Sequence, residues 1–105
     1  MVAVDVASVQ LFGEGNGVPQ YTRHVDLCID HHAGNSGYAE FTLLDGSAAA
    51  AAELLYEVIC AMHVEITPHI ADCLYTGLST DTGCFKFYST KASTHITAAK
   101  LMEAG

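Results

Sequence analysis

The sequence predicts an α/β fragment, a parallel sheet flanked by helices in three layers, and three observations predict it. A β-branched apolar run, Val2-Ala3-Val4-Asp5-Val6, opens the chain as a strand buried on both faces would. Strand-like runs come first and helical patterns follow. Polar, chemistry-bearing residues stand at the ends of the strand-like runs, where open α/β sheets bind ligands.

The elements follow in order. After the opening run, the segment 13–19 (Gly-Glu-Gly-Asn-Gly-Val-Pro) has strong turn chemistry. His24-Val25-Asp26-Leu27-Cys28-Ile29 is a second strand pattern, ending in Asp30-His31-His32 and a polar turn through Gly34, Asn35 and Gly37. Residues 38–44 form a third. Strands are expected near 2–6, 25–29 and 38–43. Ser47 can cap a helix near 47–63, with Ala51, Leu54, Leu55, Val58, Ile59 and Met62 at helical spacing. Glu53 and Glu57 are like charges four apart, which predicts that both face water. The alanines from 48 to 52 suit a closely packed helix start. Thr67-Pro68 is a cap followed by proline at the first helical position, opening a helix near 68–79 with Ile70, Ala71, Leu74 and Leu78 buried. A loop precedes Phe85-Lys86-Phe87-Tyr88, where Lys86 reads as a strand-edge lysine. A last helix near 91–104 has Ala92, Ile96, Ala99 and Met102 on its apolar face and Gly105 as C-cap.

Composition bounds the function. The chain has 105 residues, enough for one domain or a piece of a larger one. It is 50% hydrophobic and 15% charged, so it can bury a core. The net charge of −8, with Arg23, Lys86, Lys91 and Lys100 as the only Lys and Arg, argues against a broad grip on long duplex nucleic acid. Carboxylates gathered around divalent cations give the same acidic surplus. Cys28, Cys60, Cys73 and Cys84 form no C-x-x-C pair and read as buried, reduced thiols. No leader opens the chain, and the apolar stretch 47–64 is interrupted by Glu53 and Glu57. A cytoplasmic location without a membrane partner is the expectation.

Asp5, Asp30, His31, His32 and Asp81 mix carboxylate and imidazole without thiolate, a set that suits Mn²⁺, Fe²⁺ or Zn²⁺ better than Ca²⁺. Two metals roughly 3.5–4 Å apart around a bridging carboxylate can activate water and clamp a phosphoryl group. Blander readings stand beside this one. A strand-end aspartate is more often a cap, a His-His pair is usually surface decoration, and Asp81 in Ser-Thr-Asp-Thr-Gly reads equally well as an Asx turn. His63, His69 and His95 read as solvated or packed. The five tyrosines do not alternate with basic residues, so no stacking platform for single strands is indicated.

Ile29-Asp30-His31-His32 followed by Asn35 resembles the motif that names the DHH phosphoesterases. The stretch 74–85, Leu-Tyr-Thr-Gly-Leu-Ser-Thr-Asp-Thr-Gly-Cys-Phe, is similar to their fourth motif, and Val4-Asp5-Val6-Ala7 to their second. Order and approximate separations agree, and the similarity runs through nearly the whole chain. The branch it most resembles holds oligoribonucleases and phosphoadenosine-phosphate phosphatases, related to RecJ-type exonucleases.

The resemblance implies Mn²⁺ as cofactor, Asp5 as the carboxylate bridging two metals, and His31 and Asp81 as ligands of the second. It implies His32 at the scissile phosphate, Asp30 holding a histidine from behind, and Asn35 as a substrate contact. It implies small-nucleotide or short-RNA substrates. The family's first motif has no counterpart before Asp5, and its C-terminal substrate domain has none after 105, so residues 1–105 read as a partial catalytic domain. An open sheet edge would invite self-association. The competing readings are a non-catalytic binding or assembly module with a residual metal site and a cyclic-dinucleotide phosphodiesterase. A flavodoxin-like binder is disfavoured, because no glycine-rich phosphate loop follows the first strand.

Overall fold

The computed structural model describes residues 2–8 and 25–105; the expected loop at 13–19, Tyr21, Arg23 and His24 lie outside them. The chain forms two compact units, Met1–Gly46 and Ser47–Gly105. The first holds a parallel sheet of β1 (Val2–Val4), β2 (Leu27–Asp30) and β3 (Phe41–Leu44), in the order β1-β2-β3. The second holds helices α1 (Ala51–Ala61), α2 (Pro68–Asp81) and α3 (Ala92–Ala104). The α/β class and the parallel sheet agree with the expectation.

Register explains what the sheet is for. Val4 pairs with Ile29, and Asp5 N–H extends that ladder by donating to the Ile29 carbonyl at 2.9 Å. Two parallel strands in this register deliver Asp5 and Asp30 side by side at their carboxyl ends. β1 is shorter than expected because Asp5 turns to φ 62°, the left-handed region, which ends it. Aspartate tolerates this conformation better than most residues, since its short polar side chain can bond locally.

Ala3, Val25 and Cys28 form the first unit's core, with Tyr38 and Ala39 packed against it. Only one face of β1 is buried, contrary to expectation: Val2 and Val4 are exposed while Ala3 is not. All of β3 is exposed.

In the second unit the core is Ala50, Ala71, Leu74, Leu78, Ala98 and Leu101. An ideal Cβ on Gly77 would come 3.3 Å from the Ala52 methyl, so the alanine run and this glycine let α1 and α2 approach closely. Thr67 caps α2 as expected, its Oγ1 accepting from Ile70 N–H at 3.3 Å, with Pro68 at the first position.

Four expectations need correction. Ala50, not Ser47, is the N-cap of α1. Glu53 is buried, because its Oε2 accepts from Ala49 N–H at 3.1 Å and satisfies a donor at the helix start; only Glu57 faces water. The buried face of α3 is Thr94, Ala98 and Leu101, whereas Ile96 and Met102 are exposed. Apolar residues stand on both sides of this helix; the inner side packs with Leu74 and Leu78, and buried Thr94 there accepts from Lys91 N–H at 3.1 Å. Residues 85–88 form turns, not a strand, and Lys86 N–H donates to the Thr82 carbonyl at 3.0 Å. The cysteines are also a partial correction: all four are free thiols, but only Cys28 is buried. Among the described residues, no helix is long and apolar enough to cross a membrane.

Candidate metal centre

The sheet positions the first residue and the next turn positions the rest. Asp5, Asp30, His31 and His32 each offer one ligand atom, and these four atoms lie within 4.8 Å of one another. His31 Nε2 is 3.2 Å from Asp5 Oδ1, and His32 Nδ1 is 3.7 Å from the same oxygen. The two imidazole rings stand 4.6 Å apart at 47°.

Asp30 differs from the other three. Its side chain is fully buried and surrounded by donors. Oδ1 lies 2.6 Å from His32 Nδ1 and accepts the backbone N–H of His31 at 2.8 Å and of His32 at 3.3 Å. Oδ2 accepts Asn35 Nδ2 at 2.8 Å. Burial raises the pKa of this carboxyl, but the bonds from Asn35, His32 and the two backbone amides outweigh it and hold the group below the usual carboxylate range. An aspartate so occupied orients its neighbours. His32 Nδ1 against Asp30 leaves Nε2 as the ring nitrogen free to face outward, the arrangement by which carboxylates fix a histidine's tautomer.

The donor chemistry fits a divalent metal. Two ligand atoms bound at about 2.0–2.2 Å, roughly at right angles, stand on the order of 3 Å apart, and Asp5 and His31 are at 3.2 Å. Asp5 is half exposed and His31 mostly covered, so the pair sits at a surface open to ligand on one side.

Both ends of the Asn35 amide are engaged. Nδ2 serves Asp30 and lies 3.6 Å from Cys28 Sγ, while Oδ1 accepts Gly37 N–H at 2.8 Å in a turn where Gly37 takes φ 70°. Sequence reasoning missed Tyr38. Its hydroxyl donates to the Val6 carbonyl at 2.7 Å and stands 3.5 Å from Cys28 Sγ. Burial, then the bond to Cys28, then the nearby charges of Cys28 and Asp30 push its pKa far upward, so it remains a donor. No local pattern reveals this, because the partner lies far away in sequence.

The four clustered residues belong to the first unit; Asp81 ends α2 in the second and is exposed. The turn after it is tightly determined. Gly83, Cys84 and Phe85 all take positive φ, at 59°, 59° and 67°. Buried Thr82 holds them: its Oγ1 donates to the Leu78 carbonyl at 2.7 Å and accepts Phe85 N–H at 3.0 Å. His95 is exposed, and its ring stacks on Phe85 with centroids 5.3 Å apart.

Comparison with known proteins agrees with the fold. No protein-family model matches the chain. The bifunctional oligoribonuclease and PAP phosphatase NrnA of Thermus thermophilus is 38% identical over 77 residues, 73% of this chain and 24% of the relative. A probable NrnA of Streptococcus mutans is 29% identical over 75 residues, 71% of this chain and 24% of the relative. The crystal structure of an exopolyphosphatase-related protein from Bacteroides fragilis matches with a TM-score of 0.84 and 25% identity, over 99% of this chain and 32% of that one. The chain thus spans about a quarter of the length of these curated relatives. The parallel strands, the Asp-His-His cluster at their carboxyl ends and these relatives point one way: over this stretch the chain is similar to phosphoesterases of the DHH type.

Proposed function

We propose that this chain carries part of the active site of a metal-dependent phosphoesterase acting on short oligoribonucleotides or on small nucleotides such as phosphoadenosine phosphate, with Mn²⁺ as the metal. The observation that carries the reading is the convergence of Asp5, His31 and His32 beside a buried, donor-saturated Asp30. Asp5 and His31 would hold the metal in this unit. When bound, divalent cations acidify water and neutralise charge on the phosphoryl oxygens. His32, held through Nδ1 by Asp30, presents Nε2 to the scissile phosphate, where the doubly protonated ring donates to the charge that develops. Asp30 keeps that ring in place, and Asn35 meets the substrate only through what its engaged amide can spare.

The substrate class rests on the relatives' names and on charge. Among the described residues, the unit that holds the cluster has no Lys or Arg, which disfavours a long nucleic-acid track. A small substrate needs fewer phosphate contacts than a duplex. A cytoplasmic setting fits such substrates.

The test is hydrolysis of a short oligoribonucleotide, phosphoadenosine phosphate and a cyclic dinucleotide with titrated Mn²⁺. It is run on the 105-residue chain and on the chain in its full reading frame. Little turnover by the chain alone and Mn²⁺-dependent turnover in the full frame is the expected result. Mn²⁺ binding without turnover in the full frame would favour a non-catalytic module. Exclusive cleavage of the cyclic dinucleotide would reassign the substrate.

A further inference from the structure

The connection between β2 and β3, residues 31–40, joins two parallel strands without a helix. It bonds outward in two directions. Toward β2, Asn35 Nδ2 donates to the Asp30 carboxylate, which in turn faces His32 Nδ1. Toward β1, Ser36 N–H donates to the Ala7 carbonyl at 2.9 Å and the Tyr38 hydroxyl to the Val6 carbonyl at 2.7 Å. Val6 is the residue directly after Asp5, whose backbone stands in the left-handed region. An aspartate in that conformation gains little from its own preference, so its persistence depends on what holds the chain on either side. On one side is the ladder bond from Asp5 N–H to Ile29. On the other is Tyr38.

We infer that Tyr38 and Asn35 are positioning residues that set the Asp5 carboxylate against the two histidines, the phenol by pinning the backbone after Asp5 and the amide by fixing Asp30. This rests on the metal reading of the cluster. Neither residue belongs to the cluster of ligand atoms itself. Cys28 links them, its Sγ within 3.5 Å of the Tyr38 hydroxyl and 3.6 Å of Asn35 Nδ2. The ring of Tyr38 packs on the core of Ala3, Val25 and Cys28, so Tyr38→Phe keeps the packing and removes only the hydroxyl.

The test separates positioning from bulk stability. Mn²⁺ affinity is measured by calorimetry for the wild type, Tyr38→Phe, Asn35→Ala and His31→Ala, and urea unfolding of each is measured in EDTA. Binding by the wild type and its loss in His31→Ala establish the site. Tyr38→Phe, folded in EDTA, is then expected to weaken Mn²⁺ binding about tenfold, the size seen when partners behind metal ligands are removed. Asn35→Ala should do the same, and it decides the matter if Tyr38→Phe fails to fold. Wild-type affinity in a folded variant, with only its unfolding midpoint lowered, overturns the inference and leaves the site reading intact. Absence of Mn²⁺ binding by the wild type overturns both.

Discussion

The Asp30 carboxylate and the His32 ring, two residues apart in sequence, meet at 2.6 Å in a place where Asp30 is closed to solvent and His32 is not. The aspartate is therefore the fixed partner and the histidine the working one. Asp30→Asn puts an amide N–H where only donors approach. The expected loss is about 2–4 kcal/mol by urea unfolding, the scale for breaking a buried, charge-assisted network. An unchanged unfolding midpoint would remove the anchoring role.

Acid should reveal the same residue in metal-free buffer. The folded-state pKa of Asp30 lies below its unfolded value. Its contribution to stability is fully present above the unfolded pKa and is lost as pH falls through the lower, folded one. Wild-type stability should decline through that acid range more steeply than that of Asp30→Asn. Parallel stability curves for the two proteins would contradict the assignment.

Metal ligation and chemistry should come apart between neighbouring histidines. In the chain's full reading frame, His31→Ala should weaken Mn²⁺ binding. His32→Ala should lower kcat with Mn²⁺ affinity nearly intact, by about 10²-fold or more, as for removal of a donor to developing charge. Calorimetry beside steady-state kinetics reads both quantities. Wild-type turnover in His32→Ala removes the role given to that ring.

Burial on α2 and α3 sets a clear contrast. Leu101→Ala and Leu78→Ala empty a core and should each cost about 2–5 kcal/mol, whereas Ile96→Ala and Met102→Ala, on exposed sites, should stay within about 0.5 kcal/mol. Thermal or urea unfolding of the four variants tests which face of the helix is inside.

Gly83→Ala is predicted to destabilise the turn after Asp81. Its φ is 59°, and an added Cβ would come within 2.6 Å of the Phe87 ring. The expected cost is on the order of 1–3 kcal/mol, and a variant as stable as wild type would show that this ring moves aside freely.

Local chemistry made much of this protein legible. Thr67-Pro68 announces α2 because capping and proline geometry act within one turn. The Asp30-His31-His32 run could be read because a strand end and the turn after it are contiguous in sequence. The buried stripe of α2 was legible too, but other choices between surfaces were not. Residues on both sides of α3 are apolar, and only packing against Leu74 and Leu78 in one core made Ala98 and Leu101 the inner ones. Glu53 looked solvated by charge alone, yet the open N–H of Ala49 drew it inside. Asp5 reached the histidines through parallel register, and Tyr38 reached Val6 across a separation of 32 residues. Such contacts depend on where the backbone returns in space, and no local periodicity encodes that.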